Sequence, residues 1–304
     1  MKVKVLVPAT SANLGPGFDV LGIAVNFYNE FIVEDAKVFE IALVSTHNRI
    51  PTTKENLFYQ SFIYLFKKAK KKVPQVKISM NLKIPPARGL GSSATAVVGG
   101  LVAANAFLNN KFTHEQLLPY ALELEVGNNP DNVAPALLGG LVVLTKDKKE
   151  LYTVKLPMPK TIKAIYFIPD FEMDTTTGRK LMPNEYLKED VVFSTSRVAL
   201  ILAAIQSKQY ELLRVAMQDR IHQPTRTNIF PLMPNLIKAA IDAGAFGAAL
   251  SGGGSSIIAL ANKNFNEIGD AMKKAAKKHK LTGTSKTLEI INEGVFVSVE
   301  ASKN

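Results

Sequence analysis

The stretch Pro85-Pro86-Ala87-Arg88-Gly89-Leu90-Gly91-Ser92-Ser93-Ala94 decides how the chain is read. Before it, Val76, Ile78, Met80, Leu82 and Ile84 put an apolar side chain at every second position, the mark of a half-buried strand. After it, Ser92 to Leu108 is small and apolar nearly all round, which predicts a buried helix. A strand therefore runs through a glycine loop straight into a helix. Glycines let backbone N–H groups approach an anion closely and the helix N-terminus adds partial positive charge, so the stretch is a candidate phosphate cradle. No lysine follows the glycines as in a Walker A loop, and there is no GxGxxG with a downstream ribose acid. A helix opening on Gly-Ser-Ser can also be a plain N-terminal cap.

Three more segments join it. Pro8 to Asp19 (PATSANLGPGFD) reads as a strand end followed by a loop that carries Asn13 and Asp19 to the rim of a sheet. Glu125 to Ala136 (EVGNNPDNVAPA) ends one helix on a carboxylate and opens another with Asp131-Asn132. Asp131 there fits a helix N-cap, and Glu125 fits a Mg²⁺ ligand, since Mg²⁺ on nucleotides takes one or two protein oxygens and keeps waters. Leu250 to Ser256 (LSGGGSS) is a second glycine turn, read alone as a tight turn between strands. Together the two glycine turns could grip opposite sides of one polyphosphate.

Strand signals also fall at Lys2 to Ala9, Phe27 to Glu34, Phe39 to Ser45, Leu141 to Thr145, Leu151 to Leu156, Ala164 to Ile168, Ser255 to Ala261 and Gly294 to Glu300. Helical patterns cover Asn56 to Lys72, His114 to Glu125 with a Thr113/Gln116 capping box, Val191 to Gln206, Tyr210 to Gln218, Pro234 to Ala243 and Phe265 to Lys280. Thr175 to Thr177 read as a loop. Strands and helices mixed without a steady βαβ rhythm predict an α+β chain, with a junction in the Lys- and Pro-bearing stretch 146–163.

Composition bounds the function. At 304 residues and 47% hydrophobic the chain has ample apolar surface to fold, in two domains or one large one. It has no cysteine, which excludes disulfides, thiolate metal sites and a Cys nucleophile, and its four histidines lie far apart. No stretch approaches the length of a membrane span or a secretory signal, so a cytoplasmic protein with no membrane partner is expected. The net charge of +11 invites a nucleic-acid reading. Its lysines, though, cluster at Lys67 to Lys72 and Lys273 to Lys280, the C-terminal ends of helical patterns, where cations favour the helix dipole and no aromatic residues interleave. No nucleic-acid partner is expected.

The four motif segments, in this order and spacing, closely resemble the superfamily of galactokinase, homoserine kinase, mevalonate kinase and phosphomevalonate kinase, the GHMP kinases. PATSANLGPGFDVLG near the N-terminus and DNVAPALLGG at 131–140 resemble its homoserine kinase branch. The resemblance implies an N-terminal ATP-binding domain at 1–155, like domain 2 of ribosomal protein S5, and a ferredoxin-like C-terminal domain at 156–304, with the active site between them. It implies ATP and Mg²⁺ as cofactors, and ATP-dependent phosphorylation of the side-chain hydroxyl of L-homoserine within threonine biosynthesis. Pro86, Ala87, Arg88, Gly89, Leu90, Gly91, Ser92, Ser93 and Ala94 would hold the ATP phosphates and Asn56 would lie near the base. Ser93 and Glu125 would hold the metal, with Glu123 as the rival carboxylate. Asn13, Asp19, Asp131, Thr175, Arg179 and Arg226 would bind homoserine, and Asn132 would sit by its hydroxyl. Arg179 and Arg226 would meet the carboxylate, which guanidinium forks bind bidentately, and Asp131 the ammonium. A homodimer is the assembly the resemblance leaves open. The alternatives are a GHMP kinase for another small alcohol and an RNA-binding protein. The chain departs from the branch at Asn129, where relatives carry His, and at Gly253-Gly254-Ser255, where they carry a proline-bearing loop.

Overall fold

The structure, a computed structural model, describes residues 1–44, 50–125, 130–148 and 150–300, with Thr175 described by its backbone alone. Asn129, Ser45 and His47 lie outside the described residues.

A long antiparallel hairpin organises the first half. β1 (Lys2–Asn13) pairs with β2 (Gly17–Asp35) along nearly its whole length. What the sequence presents as a loop after Ala9 is therefore strand up to Asn13, and the turn proper is only Leu14-Gly15-Pro16. The period-2 signal disappears there because the residues from Val7 to Asn13 are buried without alternation. β3 (Glu40–Leu43) lies parallel to β4 (Val76–Asn81), and β4 pairs with the outer half of β2. β5 (Leu141–Asp147) takes the other half of β2, followed by β6 (Glu150–Leu156).

Four helices cover one face of this sheet: α1 (Leu57–Lys68), α2 (Ser92–Phe107), α3 (His114–Leu124) and α4 (Pro130–Leu138). The expected capping box of Thr113 and Gln116 starts α3. Helix α2 runs through the middle of the layer, which is why its sequence is apolar all round. At Gly100 a Cβ would stand 2.2 Å from the Phe58 carbonyl, so glycine sets how closely α1 and α2 approach.

The chain crosses to a second, antiparallel sheet with β7 (Lys163–Pro169), β8 (Gly247–Leu250), β9 (Ile257–Ala261) and β10 (Gly283–Glu289), in the order β10-β7-β9-β8. With α9 (Met233–Asp242) and α10 (Phe265–Lys278) the sequence of elements is βαββαβ, the ferredoxin-like arrangement. β7 is buried on both faces. Ile165 and Phe167 face α9 and α10, while Tyr166 and Ile168 face the inner half of the first hairpin, at Leu14, Leu21 and Ile23. That second apolar layer joins the two sheets.

Several expectations need correction. Thr175 to Thr177 open a short helix, α5 (Thr175–Lys180), because the Asp174 carboxylate accepts from the N–H groups of Thr176 and Thr177. After α6 (Lys188–Gln206), the helix expected at Tyr210 to Gln218 is a 3₁₀ turn at Tyr210–Leu212 and a single turn, α7 (Leu213–Ala216). Helix α8 (Gln223–Thr227) and strand β10 carry no periodicity strong enough to be read. The final strand, β11 (Phe296–Glu300), returns to pair with β1, so a second domain running unbroken to residue 304 does not hold for this strand.

Candidate functional site

A cleft of about 580 Å³ opens where the first hairpin, the start of α2, the start of α4 and the α5/α8 region meet. Its floor is the glycine loop. Gly91 has φ +69° and stands at the N-cap of α2, and no side chain caps that helix. The first-turn N–H groups of Ser92, Ser93 and Ala94 thus have no capping partner, which turns the plain-cap reading of Gly-Ser-Ser into an open anion-facing helix end. A Cβ at Gly91 would fall 2.0 Å from Thr10 Oγ1, and one at Gly89 would fall 2.0 Å from the Ser251 carbonyl. Only glycine lets the loop sit this low.

The second glycine turn is not an opposite jaw. It lies directly against the first: Ser251 Oγ donates to the Gly89 carbonyl at 2.6 Å, Ser256 N–H to the Arg88 carbonyl at 3.1 Å, and Gly252 N–H to the Ala12 carbonyl at 3.1 Å. Asn13 Nδ2 donates to the Gly252 carbonyl at 2.9 Å. The turn supports the cradle, while Gly252 and Gly253 still reach the cleft wall. Arg88 points away from the cradle. Its Nε donates to the Pro169 carbonyl at 2.8 Å, a terminal nitrogen donates to the Asp170 carbonyl, and Nη1 lies 3.6 Å from Glu172. It fastens the loop to the end of β7.

Ser93 Oγ donates to Glu125 Oε1 at 2.7 Å. Glu125 is 8% exposed, its Oε2 is buried without a hydrogen-bond partner, and burial pushes its carboxyl up to about 7. Glu123 faces elsewhere, half-way along an exposed surface cluster in which it takes hydrogen bonds from the Tyr64 hydroxyl and, at 3.2 Å, from Lys68 Nζ.

Asp131 and Asn132 enter from the first turn of α4. Asp131 is buried, and desolvation, then the charge of Asp19, push its carboxyl up to about 8 despite Arg179. Asn132 Oδ1 accepts from Thr10 Oγ1 at 2.8 Å. Across the cleft Asp19 binds Arg179 through both oxygens, with Nη1 to Oδ2 at 3.0 Å, and the Asp19 N–H donates to Asn13 Oδ1 at 3.2 Å. Arg226 is 1% exposed, and burial, then repulsion by Arg179, lower its affinity for its proton. The Nε atoms of Arg179 and Arg226 are both buried without partners.

The expected residues Asn13, Asp19, Asn56, Pro86, Ala87, Arg88, Gly89, Leu90, Gly91, Ser92, Ser93, Glu125, Asp131, Asn132, Arg179 and Arg226 all line this one cleft. Ala94 does not; it is fully buried inside α2. The side chain of Thr175 lies outside the described residues, and its neighbours Asp174 and Thr176 line the wall. Asn56 is committed locally, accepting from Phe58 N–H at 2.9 Å and donating to the Pro51 carbonyl at 2.6 Å as the cap of α1.

Four residues went unread as parts of the site. Phe18 lies with its ring 4.9 Å from the Arg179 guanidinium and 5.5 Å from that of Arg226. Buried Asn29 accepts from the N–H groups of Lys83 and Ile84 and donates to Thr95 Oγ1, tying β2 to both ends of the glycine loop. Thr10 orients Asn132. His222 lies between the Gly15 carbonyl and the Arg226 guanidinium. Thr10 and His222 find Asn132 and Gly15 at separations of 122 and 207 residues, beyond the reach of any local signal.

Comparison with known proteins places this arrangement. Residues 56–140 match the family described as GHMP kinases N terminal domain, and residues 201–278 match GHMP kinases C terminal. A homoserine kinase of Persephonella marina is 40% identical over 98% of this chain and 99% of its own. One of Desulfitobacterium hafniense is 39% identical over 97% and 99%. The crystal structure of homoserine kinase from Cytophaga hutchinsonii superposes with a TM-score of 0.89 at 32% identity, covering 98% of this chain and 97% of that one. With an α+β fold, a glycine-loop cleft and this identity over nearly the whole of both sequences, the chain belongs to the homoserine kinases of the GHMP kinase family.

Proposed function

We propose that this enzyme transfers the γ-phosphoryl group of ATP to the side-chain hydroxyl of L-homoserine, with the residues of this cleft in the following roles. The observation that carries the reading is the meeting, in one cleft, of an uncapped glycine-loop helix end, a Ser93–Glu125 pair, and a cluster holding both a buried acid and two arginines.

The polyphosphate lies over Gly89 to Ser93, where backbone N–H groups and the α2 dipole offset its charge. Ser93 and Glu125 suit Mg²⁺. Both offer oxygen, Glu125 Oε2 is buried without a partner, and among the described residues no group of three or more acidic or His side chains gathers as a separate cage. Bound there beside the nucleotide, the ion supplies neutralisation of phosphate charge. The substrate carboxylate suits the orphaned guanidinium donors of Arg226 and Arg179, and its ammonium suits Asp131. Asn132, held by Thr10, then lies by the hydroxyl that attacks in line. Phosphoryl transfer has a loose transition state, so positioning and charge stabilisation suffice without a strong base. Asp19 acts on Arg179 rather than on the hydroxyl proton. We further propose a cytoplasmic location and leave a homodimer as the candidate assembly; among the described residues no helix is long and apolar enough to cross a membrane.

Coupled ADP release measured with homoserine, mevalonate and shikimate tests the substrate. Turnover is expected with homoserine at a kcat/KM at least about a hundredfold above the others, because an acceptor lacking a charge partner leaves buried groups unpaired. Equal rates with all three would overturn the assignment.

A further inference from the structure

We propose that His222 is a positioning residue for substrate binding: held as one neutral tautomer between the first hairpin and α8, it aims the Arg226 guanidinium at the carboxylate of the amino-acid substrate. This rests on the reading that Arg226 meets that carboxylate.

The imidazole is completely buried. Its Nε2 lies 2.7 Å from the Gly15 carbonyl, which can only accept, so Nε2 carries the proton. Nδ1 then presents a lone pair, and the atom 2.8 Å from it is Arg226 Nη1, which can only donate. Both bonds demand the same tautomer. A protonated ring would lose the second one and set a cation against Arg226. Asp219 fixes the backbone that carries the ring, accepting from the N–H groups of Ile221, His222 and Gln223 at 2.8 to 2.9 Å. Phe18 stacks on the ring at 5.3 Å, closing its free face.

The guanidinium is thereby held at one end. Nη1 is spent on His222, while Nε is buried and unpartnered. A Cβ at Gly178 would stand 3.3 Å from that Nε, so the small residue leaves the donor open. A planar fork fixed at Nη1 has its remaining donors oriented before the ligand arrives, which is how preorganisation tightens binding. The ring also spans the turn at Gly15 and helix α8, coupling the arginine to the hairpin that bears Asn13 and Asp19.

Two variants separate the ring's two bonds. H222N keeps an acceptor near the Nδ1 position, and H222Q keeps a donor near the Nε2 position. H222Q is expected to raise KM for homoserine about tenfold or more while KM for ATP stays within about twofold, and H222N to raise the homoserine value by less than about threefold. In an R226M background H222Q should add less than about threefold, since its effect passes through Arg226. Equal effects of H222Q and H222N, or an H222Q effect undiminished by R226M, would overturn the proposal. If R226M raises KM and H222Q leaves it at the wild-type value, the His222 role alone fails. If R226M leaves KM unchanged, the carboxylate reading fails and takes the proposal with it. Should either His222 variant not fold, ¹⁵N-histidine NMR of the wild-type protein decides: a ring protonated at Nε2 and bare at Nδ1 supports the assignment, and an Nδ1-protonated ring overturns it.

Discussion

Ser93, in the first turn of α2, and Glu125, just past the end of α3, meet at 2.7 Å, the hydroxyl donating to one carboxylate oxygen while the other oxygen is buried without a partner. A lone buried oxygen of this kind costs stability in the empty protein unless the carboxyl is protonated. In the proposed function, that oxygen takes the cation.

The first prediction contrasts two glutamates. E125Q should lower kcat/KM by about a hundredfold or more, because it removes the oxygen proposed to hold the metal. E123Q should stay within about twofold, since it removes only exposed contacts to Tyr64 and Lys68. Steady-state rates at saturating Mg²⁺ check both, and a larger loss in E123Q would reassign the ligand.

The same burial gives a stability signature without nucleotide. Glu125 has its folded value raised from 4.5 to about 7, so its contribution is fully present below pH 4.5 and is lost as pH rises through 7. The difference amounts to about 3 kcal/mol. Denaturant unfolding of wild type and E125Q at pH 5 and pH 8 should show E125Q gaining on wild type by an amount of that order at the higher pH. Parallel curves at both pH values would contradict it.

Asp131, raised to about 8 by burial and by Asp19, must be ionised to hold an ammonium. Measured at saturating MgATP, where a metal-bound Glu125 is already ionised, kcat/KM for homoserine should therefore climb with pH between 6 and about 8 and then level, reporting the enzyme before homoserine binds. In D131N that step should vanish, with activity down by about a hundredfold or more.

Asp19 is doubly bound to Arg179. D19N should raise KM for homoserine about tenfold, with kcat within about tenfold of wild type. A D19A enzyme with unaltered homoserine affinity and turnover lost by several orders of magnitude would make Asp19 the general base instead.

Gly91→Ala introduces a Cβ at φ +69° and 2.0 Å from Thr10 Oγ1. A loss of about 2 kcal/mol in stability and a marked rise in KM for ATP are expected. Thermal unfolding and ATP titration measure the two effects, and an unchanged KM would show that the loop need not lie so low.

The parts of this design readable from sequence are those whose signals are local. The Val76 to Ile84 alternation, the glycine loop, the apolar α2 and the Thr113/Gln116 box each identify themselves within a turn or two, and all reappear in the structure, although β4 stops at Asn81. Asn13, Asp19, Glu125 and Asp131 stand out at loop and helix ends, resemblance adds the other site residues, and the cleft collects nearly all of them. What escaped was long-range. Thr10 finds Asn132 across 122 residues and His222 finds Gly15 across 207, pairings that no periodicity encodes. The inner half of β1 hid because burial on both sides erases the alternation by which strands are recognised.

The central claim is tested most directly by following the transferred group. Enzyme, Mg²⁺, homoserine and ATP labelled in the γ-phosphate should yield label on the homoserine side-chain oxygen, in step with ADP, as seen by ³¹P NMR and mass spectrometry. ADP formed with the label in inorganic phosphate alone, or with homoserine recovered unmodified, would contradict it.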